Sequence, residues 1–151
     1  MIEGVRTKDL ICHPDERGRL WEILRADDEI FDTFGQVYVT TAHPGVVKAW
    51  HAHRLQTDFF TVLSGRARFV LYDMRPDSRT RGQLQEFLLG RDRLQLITIP
   101  PGVYHGFKCV GEQEVMALNC PTRPYNAQEP DELRLPPDSD QIPYDWNRHD
   151  P

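Results

Sequence analysis

Twelve prolines and ten glycines are spread over the 151 residues and divide the chain into short segments. Such segments are too short for the helices of a bundle, and most are rich in β-branched and aromatic residues, which favour strands. Only residues 26–33 have a helix-like pattern. The sequence predicts strands over residues 19–25, 36–42, 46–53, 58–64, 66–73, 84–89, 94–99 and 113–119. Many short strands at regular spacing predict an all-β sandwich or barrel.

The clearest strand pattern lies over residues 66–73. Ala67, Phe69 and Leu71 alternate with Arg66, Arg68, Val70 and Tyr72, so one face of this strand is predicted to lie in the core. Arg66 and Arg68 on its other face are expected to be solvated or to bind an anion. Ser64-Gly65 separates this run from the preceding one and predicts a tight hairpin turn between them.

Composition excludes several functional classes. The net charge is −5, so no nucleic-acid footprint is expected. No apolar run approaches the roughly 20 residues needed to span a bilayer, and the first residues lack the pattern of a signal peptide. The three cysteines have no CxxC spacing, which favours a reduced, cytoplasmic protein over a disulfide framework.

The end of the chain differs from the rest. Residues 121–151 hold seven of the twelve prolines and seven acidic residues, so this segment cannot build its own core. We predict a single domain over residues 1–151 in which about 121–151 wrap over the barrel; a partly disordered acidic tail is the alternative. The anchors expected for the wrap are Tyr125, Leu133, Leu135, Ile142, Tyr144 and Trp146.

The sharpest local motif is His51-Ala52-His53. On a strand these two imidazoles point to one face, where they are costly to bury unless they bind or react. With Gly45, Asp58 and Gly65 they form G-x5-H-x-H-x4-D-x6-G, and P-x-G-x2-H ends at His105. The pair of motifs resembles those of the cupins, which implies a double-stranded β-helix, or jelly-roll barrel, with the site at its mouth.

A second resemblance covers nearly the whole chain. Residues 15–22 are similar to D-x-R-G-x-F-x-E, Phe34-x-Gln36 to F-x-Q, and residues 47–51 to L-R-G-L-H. Residues 73–80 are similar to D-L-R-x-x-S-x-T and residues 100–107 to P-x-G-x-x-H-G-F. These motifs, in this order, resemble the dTDP-4-dehydrorhamnose 3,5-epimerase family. The resemblance implies an isomerase that removes a proton next to the ketone of a nucleotide-diphospho-4-keto-6-deoxyhexose.

The resemblance also implies roles for individual residues. His51 corresponds to the catalytic histidine and Asp138, or Asp140, to its catalytic aspartate. Asp58 and Asn119 stand where the family has a lysine and the reprotonating tyrosine, and Lys48 replaces a substrate-binding arginine. The residues expected to bind substrate are Arg17, Glu22, Gln36, Lys48, Arg54, His105 and Asn119.

Val37-Tyr38 and the run from Lys48 to Arg54 are similar to a neighbouring family, the dTDP-4-keto-6-deoxyhexose 3,4-ketoisomerases. That similarity implies catalytic roles for Tyr38, His51 and His53. Because His51 and His53 share a strand face and Asn119 is no acid, we expect a same-face hydrogen shift or a single epimerisation in preference to double epimerisation. Tyr38 or Tyr104 could supply the missing acid from another strand.

Two other functions remain open from the sequence. His51, His53, Asp58 and His105 could bind a divalent transition metal in a dioxygenase or a metal-assisted isomerase; the favoured interpretation needs no cofactor. A non-catalytic sugar-binding cupin is the third possibility. The partners expected are a nucleotide-diphosphate sugar and a second copy of the chain in a homodimer, with neither nucleic acid nor membrane.

Overall fold

The computed structural model describes residues 1–147, and these residues form strands and loops without a helix. None of the described residues therefore belongs to a helix that could cross a bilayer. Residues 148–151 of the predicted wrap lie outside the described range. The strands are β1 (Arg6–Asp9), β2 (Cys12–Asp15), β3 (Gly18–Trp21), β4 (Tyr38–Ala42), β5 (Val47–Ala52), β6 (Asp58–Ser64), β7 (Arg66–Asp73), β8 (Leu84–Gly90), β9 (Gln95–Ile99), β10 (Val103–Cys109), β11 (Val115–Asn119) and β12 (Leu133–Arg134).

The strands form two five-stranded antiparallel sheets and one small hairpin. The first sheet has the order β1-β9-β6-β11-β4 and the second the order β12-β5-β10-β7-β8, while β2 pairs only with β3. Side chains from both five-stranded sheets share one core; Phe60 of the first packs on Phe69 of the second with ring centroids 5.3 Å apart. The expected all-β jelly-roll barrel is confirmed.

The predicted hairpin at Ser64-Gly65 is wrong. β6 and β7 belong to different sheets, so the chain crosses from one sheet to the other at this point. Gly65 has φ +77°, and a Cβ there would stand 2.5 Å from the carbonyl oxygen of Glu114. The crossing therefore requires glycine, as a hairpin turn would, and the two arrangements give the same sequence signal.

The alternation over residues 66–73 is confirmed, but both faces of β7 are buried. Ala67, Phe69 and Leu71 lie in the shared core. On the outer face Val70 packs with Trp50, Ile142 and Trp146, two of which come from the C-terminal segment, residues 121–147. Arg68 is also buried here, so the prediction that it is solvated is wrong, whereas Arg66 is exposed.

The first sheet is covered on its outer face by residues 21–30. Leu10, Phe59 and Leu96 pack there with apolar side chains of this segment, including Ile30. The helix expected over residues 26–33 does not form. The Arg6 guanidinium donates hydrogen bonds to the carbonyl oxygens of Glu29 and Ile30, and Asp28 binds Lys8, so these groups bond to β1 rather than along a helix.

The C-terminal segment packs along the second sheet. Leu133 and Arg134 pair with Ala52 and His51 of β5, and the main chains of Leu135 and Trp50 exchange hydrogen bonds. Ile142 and Trp146 are buried, as expected of anchors. Tyr125 is 66% exposed, so its side chain is not a buried anchor. The pairing with β5 places the acidic residues before β12 beside the histidines.

Candidate active site

A cleft of about 730 Å³ opens between β4, the β5–β6 loop and the C-terminal segment. This volume lies within the range typical of small-molecule sites. Polar side chains from the three elements line it: Gln36, Tyr38, His53, Arg54, Gln56, Arg123, Asp131, Glu132 and Arg134.

His51 is paired with a carboxylate of the C-terminal segment. Its Nδ1 lies 2.8 Å from Oε1 of Glu132, and the imidazole is 31% exposed. Arg134 holds the other carboxylate oxygen at 2.7 Å. Although burial acts to raise it, hydrogen bonds from Arg134 and His51 lower the pKa of Glu132 below its usual value. A carboxylate at Nδ1 keeps the proton on that nitrogen and leaves Nε2 as the basic atom.

The neighbouring Asp131 fixes the β5–β6 loop. Its carboxylate accepts hydrogen bonds from the backbone N–H groups of Arg54, Leu55 and Gln56 at 2.9–3.0 Å. Its backbone carbonyl faces Nδ1 of His53. The C-terminal segment therefore orients both histidines of the motif, one through a side chain and one through its main chain.

Asp58 lies at the centre of a buried polar cluster below the cleft. Its Oδ1 accepts hydrogen bonds from Gln56 at 2.8 Å and from Asn119 at 2.9 Å. Its Oδ2 lies 3.3 Å from Nε2 of both His53 and His105. Burial lowers the pKa of His105 to about 4, against the opposing effect of the Asp58 charge.

Tyr38 also lines the cleft. It begins β4 in the first sheet, whereas His51 lies on β5 in the second. The Asn119 side chain donates a hydrogen bond to the Tyr38 hydroxyl oxygen at 3.0 Å, which leaves the phenolic proton available for another acceptor. Burial raises the pKa of Tyr38 to about 12, so the group stays protonated at neutral pH.

Three further predicted residues lie at or near the cleft. Gln36 lines it and accepts a hydrogen bond from the backbone of Tyr125 at 3.2 Å. Arg54 lines it as well. Lys48 is exposed on β5 and donates to the Thr40 hydroxyl at 2.9 Å, a contact that connects the two sheets.

Other predicted residues are not brought into this cleft. Arg17 is 82% exposed in the β2–β3 hairpin, where it pairs with Asp15, and Glu22 pairs with Arg25. Asp138, expected from the resemblance to be the catalytic aspartate, is exposed beyond β12, and the carboxylate paired with His51 is that of Glu132. Tyr104, considered as an acid, packs in the outer cluster around Trp50, because it faces the opposite side of β10 from His105.

Sequence reasoning missed the acidic pair Asp131–Glu132, as well as Arg123, Arg134 and Gln56. Pro130-Asp131-Glu132 stands out within the wrap, but it lies in a segment without strand or helix periodicity. Glu132 is 81 residues from His51. Only the antiparallel pairing of β12 with β5 brings them together.

A profile of the family described as dTDP-4-dehydrorhamnose 3,5-epimerase matches residues 1–150. The chain belongs to this family of carbohydrate isomerases. A spore coat polysaccharide biosynthesis protein, SpsL, of Bacillus subtilis is 40% identical over 147 residues, which cover 97% of each chain. A probable low-salt glycan biosynthesis epimerase, Agl13, of Haloferax volcanii is 41% identical, covering 97% of this chain and 95% of that protein.

The fold agrees with the family assignment. The crystal structure of a dTDP sugar isomerase from Desulfovibrio desulfuricans G20 superposes with a TM-score of 0.93 at 37% identity, covering 99% of this chain and 94% of that one.

Proposed function

We propose that the protein is an epimerase of a nucleotide-diphospho-4-keto-6-deoxyhexose, with His51 as the base that removes a proton next to the ketone. The observation that carries the proposal is the contact between His51 and Glu132, because Glu132 lines the same cleft as Tyr38. In this proposal Glu132 is a positioning residue, and Tyr38 is the acid that returns a proton.

The chemistry fits the groups present. A neutral imidazole is well matched to proton abstraction at neutral pH. Abstraction leaves an enolate, whose negative charge needs a nearby donor or cation. These proton transfers neither oxidise nor reduce the sugar overall, so the reaction requires no redox cofactor.

The placement of Tyr38 favours epimerisation over a same-face hydrogen shift. Inversion at a carbon requires that one group removes a proton and another delivers one from the opposite side. His51 and Tyr38 come from different sheets, and Tyr38 lines the cleft together with Glu132, the partner of His51. The loss of the family's tyrosine at Asn119 therefore does not leave the site without an acid, because Asn119 holds Tyr38 instead.

The cleft has the charge expected for a nucleoside diphosphate. The chain has a net charge of −5, yet Arg54, Arg123 and Arg134 all line the cleft. Arginine presents a planar fork of donors that suits phosphate oxygens. The names of the relatives place them in polysaccharide and glycan biosynthesis, and we propose the same broad role, in the cytoplasm, for this chain.

The assembly that fits these surfaces is a homodimer built on one domain. The β2–β3 hairpin is a two-stranded sheet with an exposed Leu20, and such a hairpin is marginally stable alone. Packed on a second copy, it would carry Arg17 and Glu22 away from their own barrel, which accounts for their distance from this cleft.

The proposal is tested by incubating the protein with dTDP-4-keto-6-deoxyglucose in deuterated water and following the sugar by NMR. We expect deuterium at a carbon next to the ketone, with inversion there. The matched control is His43→Ala, which removes an exposed imidazole from outside the cleft and should leave exchange unchanged. Absence of deuterium at both C3 and C5 would refute the proposed function, and deuterium without inversion would refute the role of Tyr38.

A further inference from the structure

The cluster below the cleft contains a contact that ordinary hydrogen bonding does not explain. Nε2 of His53 and Nε2 of His105 each lie 3.3 Å from the same oxygen, Oδ2 of Asp58. The other carboxylate oxygen is satisfied by Gln56 and Asn119. The question is therefore where the protons of the two imidazoles are.

The second nitrogen of each ring answers it. Nδ1 of His105 lies 3.1 Å from the carbonyl oxygen of Val103, and Nδ1 of His53 faces the carbonyl oxygen of Asp131. A carbonyl oxygen only accepts hydrogen bonds, so both Nδ1 atoms carry the proton. In a neutral imidazole Nε2 then carries a lone pair and no proton. The Nε2 lone pairs of His53 and His105 therefore both face Oδ2 of Asp58.

Three acceptor atoms, Nε2 of His53, Nε2 of His105 and Oδ2 of Asp58, thus converge at a buried position. Asp58 is 1% exposed and His105 is 5% exposed. Among residues 1–147, no lysine or arginine forms an ion pair with Asp58. A single proton placed on Oδ2 or on one ring relieves one contact and leaves the other, so the arrangement calls for a positive charge that all three atoms can share.

We propose that His53, Asp58 and His105 bind one divalent transition-metal ion through Nε2, Oδ2 and Nε2. The three donor groups lie within 4.8 Å of one another. Donors at 2.0–2.2 Å from one ion in near-tetrahedral directions are separated by about 3.3–3.6 Å. Nε2 of each histidine lies 3.3 Å from Oδ2 of Asp58, within this range. Each ligand is also oriented from outside by a hydrogen bond at its other atom, as is usual for metal-binding histidines and carboxylates.

The site is a three-ligand one, not the four-ligand set considered from the sequence. His51 is not among the residues whose donor atoms converge within 4.8 Å; its Nδ1 is paired with Glu132. Two imidazoles and one carboxylate suit Zn²⁺, Fe²⁺, Mn²⁺ or Co²⁺ and leave coordination positions open. His53 lines the cleft, so the open side faces the proposed substrate. The ion would supply positive charge near the ketone; this role rests on the proposed function, but the ion site itself does not.

The test is metal binding by the whole protein after removal of metals with a chelator and dialysis. Titration with Co²⁺, followed by visible absorption and by elemental analysis, should give one ion per chain. His53→Gln should abolish stoichiometric binding, and His51→Gln, which changes the matching histidine on the same strand, should retain it. Gln56→Ala should weaken binding about 10–100-fold, because it removes an outer hydrogen bond to Asp58.

The outcomes are distinct from those of the isotope experiment. No ion in the wild-type protein, or an ion that binds equally to His53→Gln and to a folded Asp58→Asn, would overturn the metal site whether or not the sugar exchanges deuterium. One ion lost only with the cluster residues would support the site even if no exchange occurs, in which case the proposed function alone would fail.

Discussion

The barrel and the C-terminal segment contribute to the cleft in different ways. The barrel supplies buried groups held by neighbouring strands: Asp58 and Asn119 are both within 1% of complete burial. The C-terminal segment supplies Asp131, Glu132 and Arg134, which are half-buried or exposed. One site is thus built from a rigid part with its own core and from a part that depends on docking.

This difference predicts that the barrel mainly determines stability and that the C-terminal segment mainly affects the reaction rate. Substitutions within the barrel should mainly change the free energy of unfolding, since they remove interactions from the core. Substitutions in the C-terminal segment near the cleft should mainly change the rate, since the segment orients side chains that the barrel carries. Asp73 and Glu132 are the informative pair, because both are carboxylates bound by an arginine.

The largest effect is expected for His51→Ala. As the base, His51 should be worth on the order of 10²–10⁴ in rate. It is partly exposed, and the core around β5 is formed by Trp50 and Ala52, so the melting temperature should change little. Deuterium exchange and thermal unfolding of the same preparation check this; near-normal exchange in the folded variant would remove His51 from the mechanism.

Asp73→Asn should lower stability with little effect on rate. Asp73 is fully buried and binds Arg75 at 2.8 Å and the hydroxyls of Ser78 and Thr80 at 2.6 Å. Breaking a buried ion pair on one side costs about 3–5 kcal/mol. Denaturant unfolding at neutral pH measures this change in the free energy of unfolding. A large loss of rate in the folded variant would contradict the division between the two parts.

The same variant has a pH signature. Although burial acts to raise it, hydrogen bonds from Arg75, Ser78 and Thr80 lower the pKa of Asp73 well below its usual value. The stabilisation is therefore present above the unfolded-state pKa of about 4 and is lost as the pH falls below it. The difference in stability between wild type and Asp73→Asn should narrow in acid.

Glu132→Gln should show the reverse behaviour, with a rate about 10²-fold lower and a nearly unchanged unfolding midpoint, because the amide no longer fixes the His51 tautomer. The pKa of Glu132 is lowered, so the group is ionised throughout pH 6–9 and the deficit should be constant there. Glu132→Asp should restore part of the rate. If the aspartate variant is no better than the glutamine variant, Glu132 acts by packing.

The smallest effect is expected for Ile142→Val. Ile142 is 2% exposed in the cluster with Trp50 and Trp146, and loss of one methylene should cost about 0.5–1.5 kcal/mol. The rate should stay unchanged, because the segment remains docked. A lower rate in Ile142→Val would show that even a small weakening of the packing of the C-terminal segment changes the orientation of His51.

The sequence predicted β6 and β7 well because each has a continuous run of strand-forming residues with few interruptions. It did not predict β10, whose Gly106 interrupts the pattern; a Cβ at that position would stand 2.4 Å from the Ala49 side chain on β5. Glycine disfavours a strand by local propensity, but the close approach of β5 and β10 requires Gly106 at this position.

The candidate site was predictable where the spacing of residues within the two sequence motifs decides it. His53, Asp58 and His105 follow from the cupin-like spacing, and the structure brings them together. Glu132 was not predictable, because it lies in a segment without strand or helix periodicity that holds seven acidic residues. Asp138 was chosen by resemblance, and the pairing of β12 with β5 selects Glu132.

The C-terminal segment has a consequence for the order of events during synthesis. The nine strands of the two large sheets other than β12, together with the β2–β3 hairpin, precede Asp131 in the chain. A ribosome-bound chain can therefore bury Phe60 on Phe69 and assemble the Asp58 cluster before Glu132 emerges. His51 acquires its partner last. A nascent barrel would therefore assemble the proposed metal-binding residues before the proposed base is oriented for catalysis.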